Sequence, residues 1–169
     1  MVGISHGVQQ DIRYENSITR DFLDYLETEV RRLGIKFIAE EYSRTACVKN
    51  KISQSTIKNL AIKTKVSHYY CDPGLCERKR LGIPTQQEII NKVSVDGRTF
   101  DIQLFREEEA KYFPQRERHW LNVLEKATEQ KGIFVCGSAH LATFAKLLIG
   151  KGHKCYICRN QFEFPPDPE

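Results

Sequence analysis

The chain has 169 residues, 40% of them hydrophobic and 28% charged, which suits one compact domain with a sizeable core and excludes a disordered chain. Lysine and arginine exceed aspartate and glutamate by only 26 to 22, so the net charge of +4 allows some attraction to nucleic acid without making it an expected partner. No stretch approaches the roughly 20 apolar residues of a membrane helix, and no charged start leads into a long apolar run, so a soluble cytoplasmic protein with no membrane partner is expected.

Val2 to Ser5 reads as a short strand. Ile18, Phe22, Leu26, Val30 and Leu33 then recur at helical spacing, and Gly34 ends that helix. "IKFIAEE" is a buried-strand run that turns acidic at Glu40 and Glu41. A second helix is expected from Ser53 to Lys63, capped by Ser53 or Ser55, with Ile57, Leu60 and Ala61 as its apolar stripe. "KVSHYYCDP" is a strand closed by Asp72-Pro73-Gly74. Residues 75–114 are harder to read: "CERKRLG" suits a solvated loop or helix start, and "VSVDGRTFDIQLF" suggests a small hairpin or inserted loop around Asp96-Gly97. From Gln115 a long helix carries Trp120, Val123, Leu124 and Ala127 on one stripe, with Gly132 at its end. There follow the strand "GIFVCGS", a helix with Leu141, Phe144, Ala145 and Leu148 inward, and a last strand "KCYICRN". The prolines of "FEFPPDPE" make residues 162–169 an extended tail.

Strands alternating with helices predict a single α/β domain over residues 1–161, three-layered, with a mostly parallel sheet of about five strands and a possible small hairpin insertion in the middle. Ligands of such sheets bind beyond the carboxyl ends of the strands. The polar residues at those ends are His6, Glu40 with Glu41, Asp72, and Ser138 with His140. His6 and His140 each follow a glycine by three residues, Gly3 and Gly137, and a glycine at a strand end allows the tight turn that aims a side chain over the sheet edge. Either histidine alone is an ordinary strand-end residue; both together with the glutamates point to a site that activates water or binds a divalent ion. Arg116 precedes Trp120 by four residues and so extends the apolar stripe inward, where it can pair with Glu40 or Glu41 or stabilise a developing anion.

Of the six cysteines, Cys71, Cys136 and Cys155 lie in apolar runs and read as small buried hydrophobes. Cys155-x-x-Cys158 has zinc-ligand spacing, but residues three apart on a strand point to opposite faces and chelate poorly. No phosphate loop and no nucleophile elbow occur.

The paired Gly-x-x-His motifs at Gly3/His6 and Gly137/His140, with a glutamate of "AEE" and Arg116 of "RERHW" between them, resemble the TraB/Tiki/ChaN/erythromycin-esterase superfamily. Residues 1–41 and 115–156 support the resemblance, and the middle of the chain does not. It implies an α/β fold whose strand ends form a pocket that hydrolyses substrate in some members and binds haem in others. It further implies His6, a glutamate of Glu40 and Glu41, Arg116 and His140 as catalytic residues, Gly3 and Gly137 at the substrate, and, as in the Tiki-like branch, a divalent metal such as Mn or Zn on His6, His140 and Glu41; the strand-end reading adds Asp72 and Ser138 as candidate substrate-binding residues and keeps both Glu40 and Glu41 as catalytic candidates. The expectation is a hydrolase acting on a small cytoplasmic substrate. The alternative is a non-catalytic protein that binds or senses a small anion or haem in the same pocket, and a homo-oligomer is compatible with both.

Overall fold

The computed structural model describes residues 1–4, 17–94, 99 and 101–158. His6, the Asp96-Gly97 turn and the 162–169 tail lie outside them. Strands β1 (Val2–Ile4), β2 (Phe37–Glu40), β3 (Ser67–Tyr70) and β4 (Gly132–Gly137) form an all-parallel sheet in the order β1-β4-β2-β3.

Strict alternation along the strands feeds two cores. Val2, Ile4, Ile38, Ile133 and Val135 point to one face, where they meet helix α1 (Ser17–Leu33) through Phe22, Leu26 and Val30, and helix α3 (Thr56–Thr64) through Ile57, Leu60 and Ala61. Ala39, Phe134 and Cys136 point to the other face, where Trp120 and Leu121 of α7 (Phe113–Leu124) and Leu141, Phe144, Ala145 and Leu148 of α8 (Leu141–Gly150) cover them. The result is the expected three-layer α/β sandwich, each fully buried large apolar side chain contributing about 1.5–3 kcal/mol. α1 stops where Gly34 takes φ +61°, and α3 starts at Ser55, whose side chain accepts from the Lys58 N–H.

Two expected elements differ. The last strand, "KCYICRN", is reduced among its described residues to one parallel pair: the Met1 amine donates to Tyr156 O (2.5 Å) and the Cys158 N–H donates to Met1 O (2.9 Å), two bonds that flank Ile157 beside β1. The proposed hairpin is flanked by helices among the described residues. α5 (Gln86–Val93) precedes it and α6 (Ile102–Ala110) replaces its expected second strand, started by Asp101, whose carboxylate accepts from the Gln103 and Leu104 N–H groups. With α4 (Leu75–Leu81), these helices make the described part of residues 75–110 largely helical between β3 and α7, while the short α2 (Arg44–Lys49) lies earlier, between β2 and α3.

β4 sits between β1 and β2, so the chain reverses its direction across the sheet after β3. The connections that leave β2 and β4 cross on opposite faces, through α3 and α8 respectively. In open parallel sheets such a switch point is where ligands bind, which points to the carboxyl ends of β2 and β4.

Candidate functional site

Glu40 and Glu41, adjacent at the end of β2, go to opposite faces. Glu41 turns toward the end of β4 and α7. One of its oxygens accepts from the Gly137 N–H at the end of β4 (2.7 Å) and the other from Arg116 Nη2 (2.5 Å). Glu40 lies on the α3 face, fully buried, accepting from the Ser55 hydroxyl and paired with His68 Nε2 (2.8 Å). It ties β2, β3 and the start of α3 together, and the structure does not bring it to Arg116 or His140 among its described contacts.

Arg116 is carried on α7 because Trp120, one turn later, packs into the core and turns this face inward. Its Nε (3.1 Å) and Nη2 (2.8 Å) donate to Asp72 Oδ1, just past β3, while Nη1 faces His140 Nε2 at 3.5 Å. Trp120 Nε1 donates to the same Asp72 oxygen (3.2 Å), and Arg78 Nη2 donates to Oδ2 (2.6 Å). Burial works to raise the Asp72 pKa, but the Arg116 and Arg78 guanidiniums outweigh it and hold the carboxyl below its ordinary range. Burial works against the Arg116 cation too, and Glu41 and Asp72 reverse it, so this arginine stays charged.

His140 closes the short 3₁₀ turn Ser138–His140 that follows β4. Its Nδ1 stands 2.9 Å from Glu117 Oε1, and its Nε2 is 3.7 Å from Glu41 Oε1, beyond hydrogen-bond range. The ring lies against Phe113 (centroids 3.9 Å) and meets Trp120 edge to face (4.7 Å). His140, Glu41, Glu117 and Arg116 are 2%, 3%, 4% and 7% exposed, so their interactions act in a medium of low dielectric.

Of the expected site residues, Glu41, Asp72, Arg116, Gly137 and His140 are therefore brought together from four segments, and Glu40 is not. Gly3 is buried within β1 opposite Cys136, one residue short of the β4 terminus, and Ser138 is exposed at the start of the 3₁₀ turn. Cys136 is buried, and burial pushes its thiol well up, as its inert reading requires. Two members escaped the sequence reading. Glu117 precedes the buried Leu121 by four residues, the same spacing that places Arg116 ahead of Trp120, so its inward position was signalled but unused. Arg78 turns inward from a run that reads as solvated, and no periodic signal marks it.

No family model, curated protein or solved structure matches the chain.

The metal implied by the superfamily resemblance can be tested against these donors. No group of three or more histidine, cysteine, aspartate or glutamate side chains among the described residues has an ion-holding arrangement. His140 Nδ1 is taken by Glu117, Nε2 faces a guanidinium, and both oxygens of Glu41 are engaged by Arg116 and the Gly137 N–H. A divalent ion at Nε2 would stand beside the Arg116 cation, so the described donors by themselves do not fit one.

Proposed function

We propose that the chain is a hydrolase of a small, uncharged substrate, of the kind suggested by the paired Gly-x-x-His pattern, in which His140 is the general base. The observation that carries this reading is the 3.5 Å approach of Arg116 Nη1 to His140 Nε2, inside a buried cluster at the carboxyl ends of β2 and β4. Asp72 and Glu41 hold Nε and Nη2 of the arginine, which leaves Nη1 turned toward the imidazole. Water entering between them would give a proton to Nε2 while its oxygen bonds to the substrate carbonyl carbon. Arg116 would stabilise the oxyanion so formed, and the imidazolium, 3.7 Å from Glu41, would return its proton to the leaving group as the old bond breaks.

The described charges favour a neutral substrate. Three carboxylates, Glu41, Asp72 and Glu117, face two guanidiniums, Arg78 and Arg116, so with a neutral imidazole the cluster is formally negative. This weighs against the alternative of a small-anion sensor.

The test is hydrolysis by the full-length protein of a panel of uncharged aryl esters, lactones and amides, with phosphomonoesters as the anionic arm. His140→Gln should lower kcat by roughly 10²–10⁴-fold and Arg116→Met by about 10²–10³-fold. Turnover unaffected by His140→Gln, or confined to the phosphomonoesters, would refute the proposal. Binding of panel compounds without any turnover would favour a non-catalytic pocket.

A further inference from the structure

Each nitrogen of His140 faces a group of only one hydrogen-bonding kind. Nδ1 lies 2.9 Å from Glu117 Oε1, and an ionised carboxylate only accepts. Nε2 lies 3.5 Å from Arg116 Nη1, and a guanidinium only donates. The Glu41 carboxylate at 3.7 Å from Nε2 is too far to accept a proton from it in this arrangement. The same Glu117 oxygen also accepts from the Thr143 hydroxyl (2.5 Å), whose residue sits one turn further along α8. Glu117 is thereby pinned from α8 as well as from its own helix, and Phe113 and Trp120 hold the imidazole plane.

We infer that Glu117 is a positioning residue that fixes His140 as the neutral tautomer protonated on Nδ1, so that the bare Nε2 is presented beside Arg116. The inference rests on the reading of His140 as a general base and supplies what that reading needs, a lone pair on the nitrogen that faces Arg116. Neighbouring residues of α7 thus divide the work: Arg116 is tied to the ends of β2 and β3, and Glu117 governs the histidine delivered by β4. Glu117 touches the ring at the nitrogen away from Arg116, so its influence on reaction passes through His140.

The tautomer can be read directly, without substrate. In full-length protein carrying ¹⁵N-labelled histidine at mildly alkaline pH, long-range proton–nitrogen NMR, assigned with His140→Gln, should show His140 protonated on Nδ1 and bare at Nε2. Glu117→Leu removes the acceptor at similar volume, and the ring should then populate the Nε2-protonated form. In that variant kcat should fall by about 10²-fold or more while KM stays close to wild type. A wild-type ring protonated at Nε2, or a tautomer unchanged in Glu117→Leu, would overturn the inference. Where Glu117→Leu does not fold, the wild-type spectrum still decides it. A spectrum as expected in a protein that hydrolyses nothing would leave the tautomer standing and remove the hydrolase reading.

Discussion

At the scale of single residues, Asp72 links the site to the stability of the fold. Its carboxylate receives Arg116, Arg78 and the Trp120 indole, which come from α7 and α4, and each donor would be left wanting by its removal. Asp72→Ala should therefore destabilise the protein by roughly 3–5 kcal/mol, the range for stripping one partner from a buried ion pair. Because its folded pKa is depressed, Asp72 contributes stability fully above the unfolded value of about 3.9 and loses it as pH falls through the lower folded value. Denaturant titrations at a series of pH values should show wild-type stability falling below about pH 4. Asp72→Asn, already weaker at neutral pH, should fall less steeply over the same range. Parallel slopes in the two proteins would mean that Asp72 is not a linked group.

At the scale of elements, the glycines at strand and helix ends make contrasting predictions. Gly132 opens β4 opposite Phe37 of β2, and a Cβ there would lie 2.1 Å from the Phe37 ring. Gly132→Ala must displace a ring that packs edge to face on Tyr69, so a loss of about 1–3 kcal/mol is expected. Gly34 has open space around it but φ +61°, and Gly34→Ala should cost about 1 kcal/mol through the backbone alone. Chemical denaturation of the two variants, with a Phe37→Leu background that relieves only Gly132→Ala, separates the two causes. The same elements show what a sequence makes readable. Residues such as Phe22, Leu26 and Val30, or Ile133 and Val135, reveal helix and strand because their period is set by one buried face. "TFDIQLF" misleads because Phe100, Ile102 and Leu104 alternate like a strand, whereas the Asp101 cap settles the segment as helix. "KCYICRN" has strand composition, but among its described residues it pairs only with Met1, at the end of β1. The choice between Glu40 and Glu41 required the sheet, since alternation says that the two part company without saying which way.

At the scale of the whole molecule, the helical segment from α4 to α6 reaches the site through Arg78. Arg78 on α4 reaches Asp72 (2.6 Å) and also donates to the carbonyls of Pro73 and Pro84 (3.3 Å each), which bracket the helix and the turn that leads to α5. Asp72 in turn holds Arg116, and Arg116 faces His140, so a line of contacts runs from this segment to the imidazole. α5 and α6 are fastened mainly to each other, with Lys92 and Lys111 both paired to Glu108. A segment attached to the body at few points opens locally at lower free energy than the sheet it leans on. Arg78→Met keeps much of the apolar stem but removes all three hydrogen bonds. Hydrogen exchange by mass spectrometry should then show lost protection across residues 75–93, while peptides from β2 and β4 stay protected as in the wild type. If the segment merely covers the fold, turnover in that variant should stay unchanged. If it supports the site, kcat should drop through the loosened Asp72 and Arg116, and ester hydrolysis assayed on the same samples distinguishes the two outcomes. Protection lost equally over β2 and β4 would show instead that Arg78 secures the domain as a whole.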